Sequence, residues 1–224
     1  MSRSTISNNR RSQKQSAKGL PPSGSKPFFL KKGRGNRMEI QSLLKLIGKR
    51  QSCRAYVPGK EIPGELMRNC LEAARLAPSS CNKQPWRFVI VREREMIRRI
   101  AGEGLLPGIK MTWLNDASAI AVLCAKTDVK VHWLAPILSG IQYHLVDLGI
   151  AGEHFCLAAE AQGLGTCWIG WFKPKAVAQM LGIPSGIQPT ALISVGYPQE
   201  RHDPVPRLPL EEIACADRWG KPIQ

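Results

Sequence analysis

One helical pattern near the middle of the chain constrains the fold more than any other feature. Apolar or small residues recur there at positions i, i+4, i+7, i+11, i+14 and i+18, and these are Ile141, Leu145, Leu148, Gly152, Phe155 and Ala159. This spacing predicts a long helix that ends near Gly163. Since that helix is rich in apolar side chains, we expect it to be largely buried.

Shorter segments on both sides of this helix predict a sheet. Residues 88–91, 117–124 and 190–196 are short apolar runs bounded by breakers, which is typical of strands, and the last two have the character of strands buried on both faces. Helical spacing also occurs at 40–47, 63–77 and 175–181. This mixture predicts an α+β domain in which helices pack on a central sheet.

The net charge of +15 is concentrated at the start of the chain. Residues 1–37 contain ten Lys or Arg and no Asp or Glu, whereas the rest carries 22 basic and 17 acidic residues. We interpret 1–37 as a disordered basic leader and 38–224 as the folded domain. The leader could be a tail, a targeting segment or a start-site artefact preceding Met38. Nucleic-acid binding through it is an alternative function.

Cysteine usage and hydropathy indicate the compartment. The seven cysteines are scattered and form no C-x-x-C pair, which is typical of reduced thiols. The sequence has no uncharged apolar run of about 18 residues, so no membrane partner is expected. We therefore expect a soluble cytoplasmic protein.

The first chemical motif lies between the first predicted helix and Pro58. Its sequence is RQSCRAY, at residues 50–56. In an extended backbone the side chains of Arg50, Ser52 and Arg54 point to the same side, so that two guanidinium groups flank a hydroxyl. Such a set is suited to a phosphate, although the same pattern also fits a solvated basic surface.

The second motif is APSSCNKQPW, at residues 77–86, where a predicted helix must end. Its residues Ser79, Ser80 and Asn82 offer donors and acceptors to the polar edge of a planar heterocycle. Ser and Asn are also common turn residues, so the motif alone indicates only a turn.

The third motif is GLGTCWIGW, at residues 163–171. Its first two glycines follow the long predicted helix and indicate a helix C-terminus, while Gly170 permits close approach of a flat ligand. The segment is not a G-x-G-x-x-G sequence followed by a helix, which excludes a Rossmann fingerprint.

Taken together, these segments resemble the nitroreductase family in order, spacing and context, from about Glu39 to Leu210. The motifs that carry the resemblance are RQSCRAY (50–56), ARLAPSSCNKQPWRFVIV (74–91), LAAEAQGLGTCWIGW (157–171), LGIP (181–184), VGYP (195–198) and RLPLEEI (207–213).

The resemblance implies a homodimeric flavoprotein with a central mixed sheet flanked by helices and with FMN in a cleft shared by two subunits. Phosphate and ribityl contacts are implied for Arg50, Ser52, Arg54 and Arg207, with Gln51 nearby. The partner subunit would border the isoalloxazine with Pro78, Ser79, Ser80 and Asn82, and Ile169 and Gly170 would line its other edge.

The resemblance also implies an activity. Family members commonly use NADH or NADPH in a ping-pong cycle of hydride transfer, here to a small conjugated electrophile such as a nitroaromatic or quinone. Dehalogenation, dehydrogenation and flavin fragmentation remain alternatives, and the substrate and the preferred nicotinamide are left open. We assign no catalytic residue, because hydride transfer depends mainly on positioning.

No metal site is expected. The long predicted helix carries His144, Asp147, Glu153 and His154, and their spacing forms neither Glu-x-x-His nor H-E-x-x-H. We interpret them as residues of a polar face or neighbours of the flavin.

Overall fold

The predicted long helix, α4 (Tyr143–Ala161), is the longest in a computed structural model that describes residues 39–126, 137 and 140–223. All of these belong to one compact unit, Met38–Gln224. The predicted leader, 1–37, lies outside the described residues and stays a prediction. The other helices are α1 (Ile40–Lys49), α2 (Gly64–Arg75), α3 (Arg94–Arg99), α5 (Pro174–Met180) and α6 (Leu210–Ile213).

Shorter helical turns occur at Ser80–Asn82, Ile100–Gly104 and Thr112–Asp116. Gly163 follows the end of α4 and has a φ of +80°, which is the conformation of a glycine that ends a helix, as the sequence predicts. None of the described helices is both long enough and apolar enough to cross a membrane.

The sheet has four described strands in the order β1-β2-β4-β3. They are β1 (Trp86–Val91), β2 (Ala119–Lys126), β3 (Gly165–Ile169) and β4 (Ile187–Gly196). All neighbouring strands run antiparallel. The expectation of a mixed sheet holds only in a limited sense, since parallel pairing in the described residues is confined to one bridge, between Ser52 and Thr166.

The sequence does not predict β3 as a strand, because its motif indicates only a helix C-terminus and a site of close ligand approach. It is only five residues long and begins with a glycine, so it lacks the apolar run that predicted β2 and β4. Its pairing with β4, in which Cys167 lies opposite Ser194, gives the segment its structure.

The sheet separates two apolar clusters, as the α+β prediction requires. On one face, α2 and α4 pack through residues such as Met67 and Phe155. On the other, α3 and α5 contribute Ile97 and Val177. Residues of β2 alternate between the two clusters along Ala119–Ala125, which confirms that this strand is buried on both faces.

Close packing of α4 on β3 requires a glycine at position 152. A Cβ there would lie 2.2 Å from Cη2 of Trp168 and 3.2 Å from Cδ2 of Leu123. Gly152 therefore lets the helix approach the strand that leads into Ile169 and Gly170.

Replacing this glycine tests the packing. Gly152→Ala is expected to lower the free energy of unfolding by about 1–3 kcal/mol through overpacking. Gly149→Ala on the same helix is the matched control, since nothing lies within 4 Å of a Cβ at that position. The control is expected to raise the free energy of unfolding by roughly 0.5–1 kcal/mol. Urea unfolding at equal protein concentrations distinguishes the two, and equal effects would contradict the packing account.

Candidate functional site

Residues 50–54, hereafter the arginine segment, lie along the outer edge of β3. Ser52 forms a parallel bridge with Thr166, and the Cys53 N–H donates to the Thr166 carbonyl at 2.8 Å. Arg50, which ends α1, has extended backbone angles. The extended conformation predicted for this segment is therefore observed.

Odd-numbered side chains of the arginine segment face away from the basic ones. The Gln51 amide donates to the His202 carbonyl at 2.5 Å. Cys53 covers Gly165 so closely that a Cβ on this glycine would lie 2.8 Å from the cysteine sulfur.

Even-numbered side chains share the side of the segment that faces α4 and Cys167. Nε of Arg50 lies 3.1 Å from Oε1 of Glu153 on α4. Burial raises the pKa of the Cys167 thiol, and the neighbouring Arg54 and Ser52 partly oppose this rise. The structure thus brings the predicted phosphate residues Arg50, Ser52 and Arg54 together around one point.

The positive charge of these arginine side chains is only partly balanced by carboxylates. The Arg50 side chain is 19 % exposed and has one carboxylate partner, Glu153. Ser52 and Arg54 are exposed, and within the described residues no carboxylate pairs with Arg54. An anion of suitable shape could therefore contact both guanidinium groups and the hydroxyl.

A small pocket that opens to solvent adjoins the arginine segment. Three of the predicted cofactor residues, Gln51, Ser52 and Arg54, line it together with Lys49 and Arg201. Arg201 is held by a 2.6 Å ion pair with Glu160, a buried carboxylate of α4.

Residues 78–82, hereafter the serine turn, form the second part of the candidate site. Pro78 and Asn82 are exposed, whereas Ser79 and Ser80 are half-buried. The Ser79 hydroxyl accepts the Gln84 N–H at 2.9 Å, and the Ser80 N–H donates to Oδ1 of Asp147 at 3.0 Å. The predicted turn is therefore present and is attached to α4.

The third part is the end of β3. The Ile169 side chain is buried, while Gly170 is exposed and nothing lies within 4 Å of a Cβ built on it. The next residue, Trp171, is exposed as well. The backbone at Gly170 is thus open to close approach, as expected of a wall beside a flat ligand.

Arg207 stays a predicted phosphate contact. It lies in the exposed segment after β4, and no hydrogen bond or ion pair joins it to the arginine segment in the part of the chain that the structure describes. The serine turn and the arginine segment contact different residues of α4, Asp147 and Glu153, which are about 9 Å apart along the helix axis at 1.5 Å per residue.

These two carboxylates attach both parts of the site to α4, a role that the sequence does not predict, since its pattern indicates only polar-face residues or flavin neighbours. The signal available for them was the presence of acidic residues within a helix predicted to be largely buried. No group of three or more His, Cys, Asp or Glu side chains among the described residues is placed to hold a metal ion.

The fold and the motif positions identify the family. The family model described as "Nitroreductase family" matches residues 47–119 and 107–197. The chain belongs to the nitroreductase family, which confirms the resemblance and the α+β fold.

Individual relatives agree with this assignment. The "Putative NADH dehydrogenase/NAD(P)H nitroreductase" of Archaeoglobus fulgidus is 36 % identical over 170 residues, covering 73 % of this chain and 90 % of the relative. The "FMN reductase [NAD(P)H]" of Bacillus subtilis is 28 % identical and covers 78 % of this chain and 73 % of its own. Among solved structures, the putative NADH dehydrogenase/NAD(P)H nitroreductase of Parabacteroides distasonis superposes with a TM-score of 0.64 at 28 % identity, covering 78 % of this chain and 98 % of that one.

Proposed function

We propose that this protein is an FMN-dependent oxidoreductase that uses NADH or NADPH to reduce small conjugated electrophiles such as nitroaromatics or quinones. The observation that carries the proposal is the convergence of Arg50, Ser52 and Arg54 on one side of the segment paired with β3. The names of the relatives, an NAD(P)H nitroreductase and an FMN reductase, support the same chemistry.

The arginine segment fits the phosphate end of FMN. Glu153 pairs with Arg50 on the Nε side of the guanidinium, whose terminal nitrogens carry further N–H donors. Arg54 adds a second guanidinium and Ser52 a hydroxyl, so several charge-assisted hydrogen bonds to one phosphate are possible. Arg207 and Gln51 remain proposed neighbours of the phosphate and ribityl chain.

The remaining residues fit the planar end of FMN. The open backbone at Gly170 and the buried Ile169 form one wall, and Pro78, Ser79, Ser80 and Asn82 of a partner subunit would border the ring. When bound, FMN supplies the redox chemistry, whereas these residues bind it, orient it and limit access of water. The chain itself need not provide a dedicated acid or base.

We also infer a homodimer, on the evidence of exposed apolar surface. Ile40, Leu44 and Ile47 of α1 are exposed, although α1 carries the apolar spacing of a buried helix. The segment after β4 exposes more apolar side chains, and Trp219 is 96 % exposed. Apolar surface of this extent is typical of an interface.

Removal of one phosphate contact tests the cofactor assignment. Arg50→Ala is expected to weaken FMN binding about 10- to 100-fold, the effect of losing one or more hydrogen bonds to a charged group. Fluorescence titration of FMN-free protein gives the Kd. Arg98→Ala is the control, because Arg98 pairs with Glu95 on the solvent-exposed side of α3. An unchanged Kd for Arg50→Ala contradicts the phosphate assignment, and wild-type protein that takes up no FMN contradicts the function.

Turnover of nitro, quinone and halogenated compounds with each nicotinamide then separates reduction from the other flavin reactions.

A charge placed on the apolar face of α1 tests the dimer. Leu44→Glu is expected to convert the dimer to a monomer and to lower FMN affinity, because the partner's serine turn is lost. Ser42→Glu adds the same charge about 200° away around the helix and is expected to leave the dimer intact. Sedimentation velocity measures both, and a monomeric wild-type protein that binds FMN fully would overturn the shared-site proposal.

A further inference from the structure

Asp147 is a buried carboxylate whose place in the fold is not explained by stability. Its residue is 3 % exposed, and it lies on α4 between the apolar core and the serine turn. Glu160, also buried on α4, pairs with Arg201. Within the described residues Asp147 has no such basic partner, and its Oδ2 has no hydrogen-bond donor.

A buried carboxyl group without a basic partner is expected to lower the free energy of unfolding. A carboxylate taken out of water loses solvation that only hydrogen bonds or opposite charge can offset, and an apolar residue of similar size is often no less stable. An unsatisfied buried polar atom in a folded protein therefore calls for an explanation other than stability.

The one hydrogen bond that the described residues give the Asp147 side chain links two distant parts of the chain. Oδ1 accepts the Ser80 N–H at 3.0 Å, across 67 positions of sequence. In the described structure, the other hydrogen bonds of residues 79–82 remain within residues 79–84. Asp147 is thus the hydrogen-bonded link between the serine turn and the sheet-packed helix.

The serine turn has a backbone that needs such support. Cys81 has a φ of +50° and Asn82 of +53°, and Gln84 follows with +47°. For residues other than glycine this left-handed region is unfavourable, although Asn tolerates it, and it persists only when surrounding contacts hold it. Local hydrogen bonds alone leave the whole turn free to move relative to α4.

We propose that Asp147 is a positioning residue that holds the serine turn in the position in which Ser79, Ser80 and Asn82 can border the flavin. The flavin part of this inference rests on the proposed function. Burial keeps water from competing for the bond between Oδ1 of Asp147 and the Ser80 N–H, and the low local dielectric strengthens that bond.

Two variants of Asp147 separate positioning from general stability. Asp147→Leu removes the acceptor with a side chain of similar size, whereas Asp147→Asn keeps an oxygen that can accept the Ser80 N–H. In FMN-free full-length protein, hydrogen exchange at the Ser80 amide is expected to be about 10- to 100-fold faster for Asp147→Leu and within about threefold of wild type for Asp147→Asn. Glu160→Gln changes another buried carboxylate of the same helix and is expected to leave Ser80 exchange unchanged.

FMN binding provides the second measurement. Asp147→Leu is expected to raise the Kd for FMN about 10-fold while the Tm of the FMN-free protein stays the same or rises, and Asp147→Asn is expected to retain most of the affinity. A purely structural role would instead lower Tm and affinity together in both variants.

Four results would overturn the proposal. These are unaltered Ser80 exchange in Asp147→Leu, equal acceleration by Glu160→Gln, an unchanged FMN Kd in Asp147→Leu, or a parallel fall in Tm and affinity. If wild-type protein binds no FMN, the proposed function fails, whereas Ser80 exchange still decides whether Asp147 holds the turn.

Discussion

The pairing of Ser52 and Cys53 with Thr166 at the edge of β3 is the constraint on which the candidate site depends. It holds residues 50–54 extended, and an extended chain places alternate side chains on opposite sides. Arg50, Ser52 and Arg54 consequently share one side, and Gln51 and Cys53 take the other. Because Cys53 rests on Gly165, a larger residue at position 165 would separate the segment from the strand.

Helix α4 connects this edge to the rest of the site. Gly152 brings it against Trp168 of β3, Glu153 holds Nε of Arg50, and Asp147 holds the Ser80 N–H. The helix therefore combines an apolar packing role with two polar attachments. A glycine and a buried aspartate are unfavourable choices for the stability of a packed helix, and their positions are explained by what they contact.

Sequence patterns predicted the parts of this fold that local physics determines. The spacing of residues along α4 and the apolar runs of β2 and β4 reflect burial directly, and extended geometry at 50–54 followed from the helix before it and Pro58 after it. Strand β3 and the links from Asp147 and Glu153 depend on residues far apart in sequence, so no local pattern indicates them. The position of Arg207 relative to the phosphate residues follows only from family resemblance, and among the described residues no hydrogen bond or ion pair joins it to them.

The arginine segment is proposed to bind the phosphate of FMN, and riboflavin is the same flavin without that phosphate. Comparing the Kd of wild-type protein for FMN and for riboflavin therefore measures what the phosphate contributes to binding. With two guanidinium groups contributing, FMN is expected to bind at least about 100-fold more tightly than riboflavin, a preference that high salt reduces. Equal affinity for the two flavins would contradict the account.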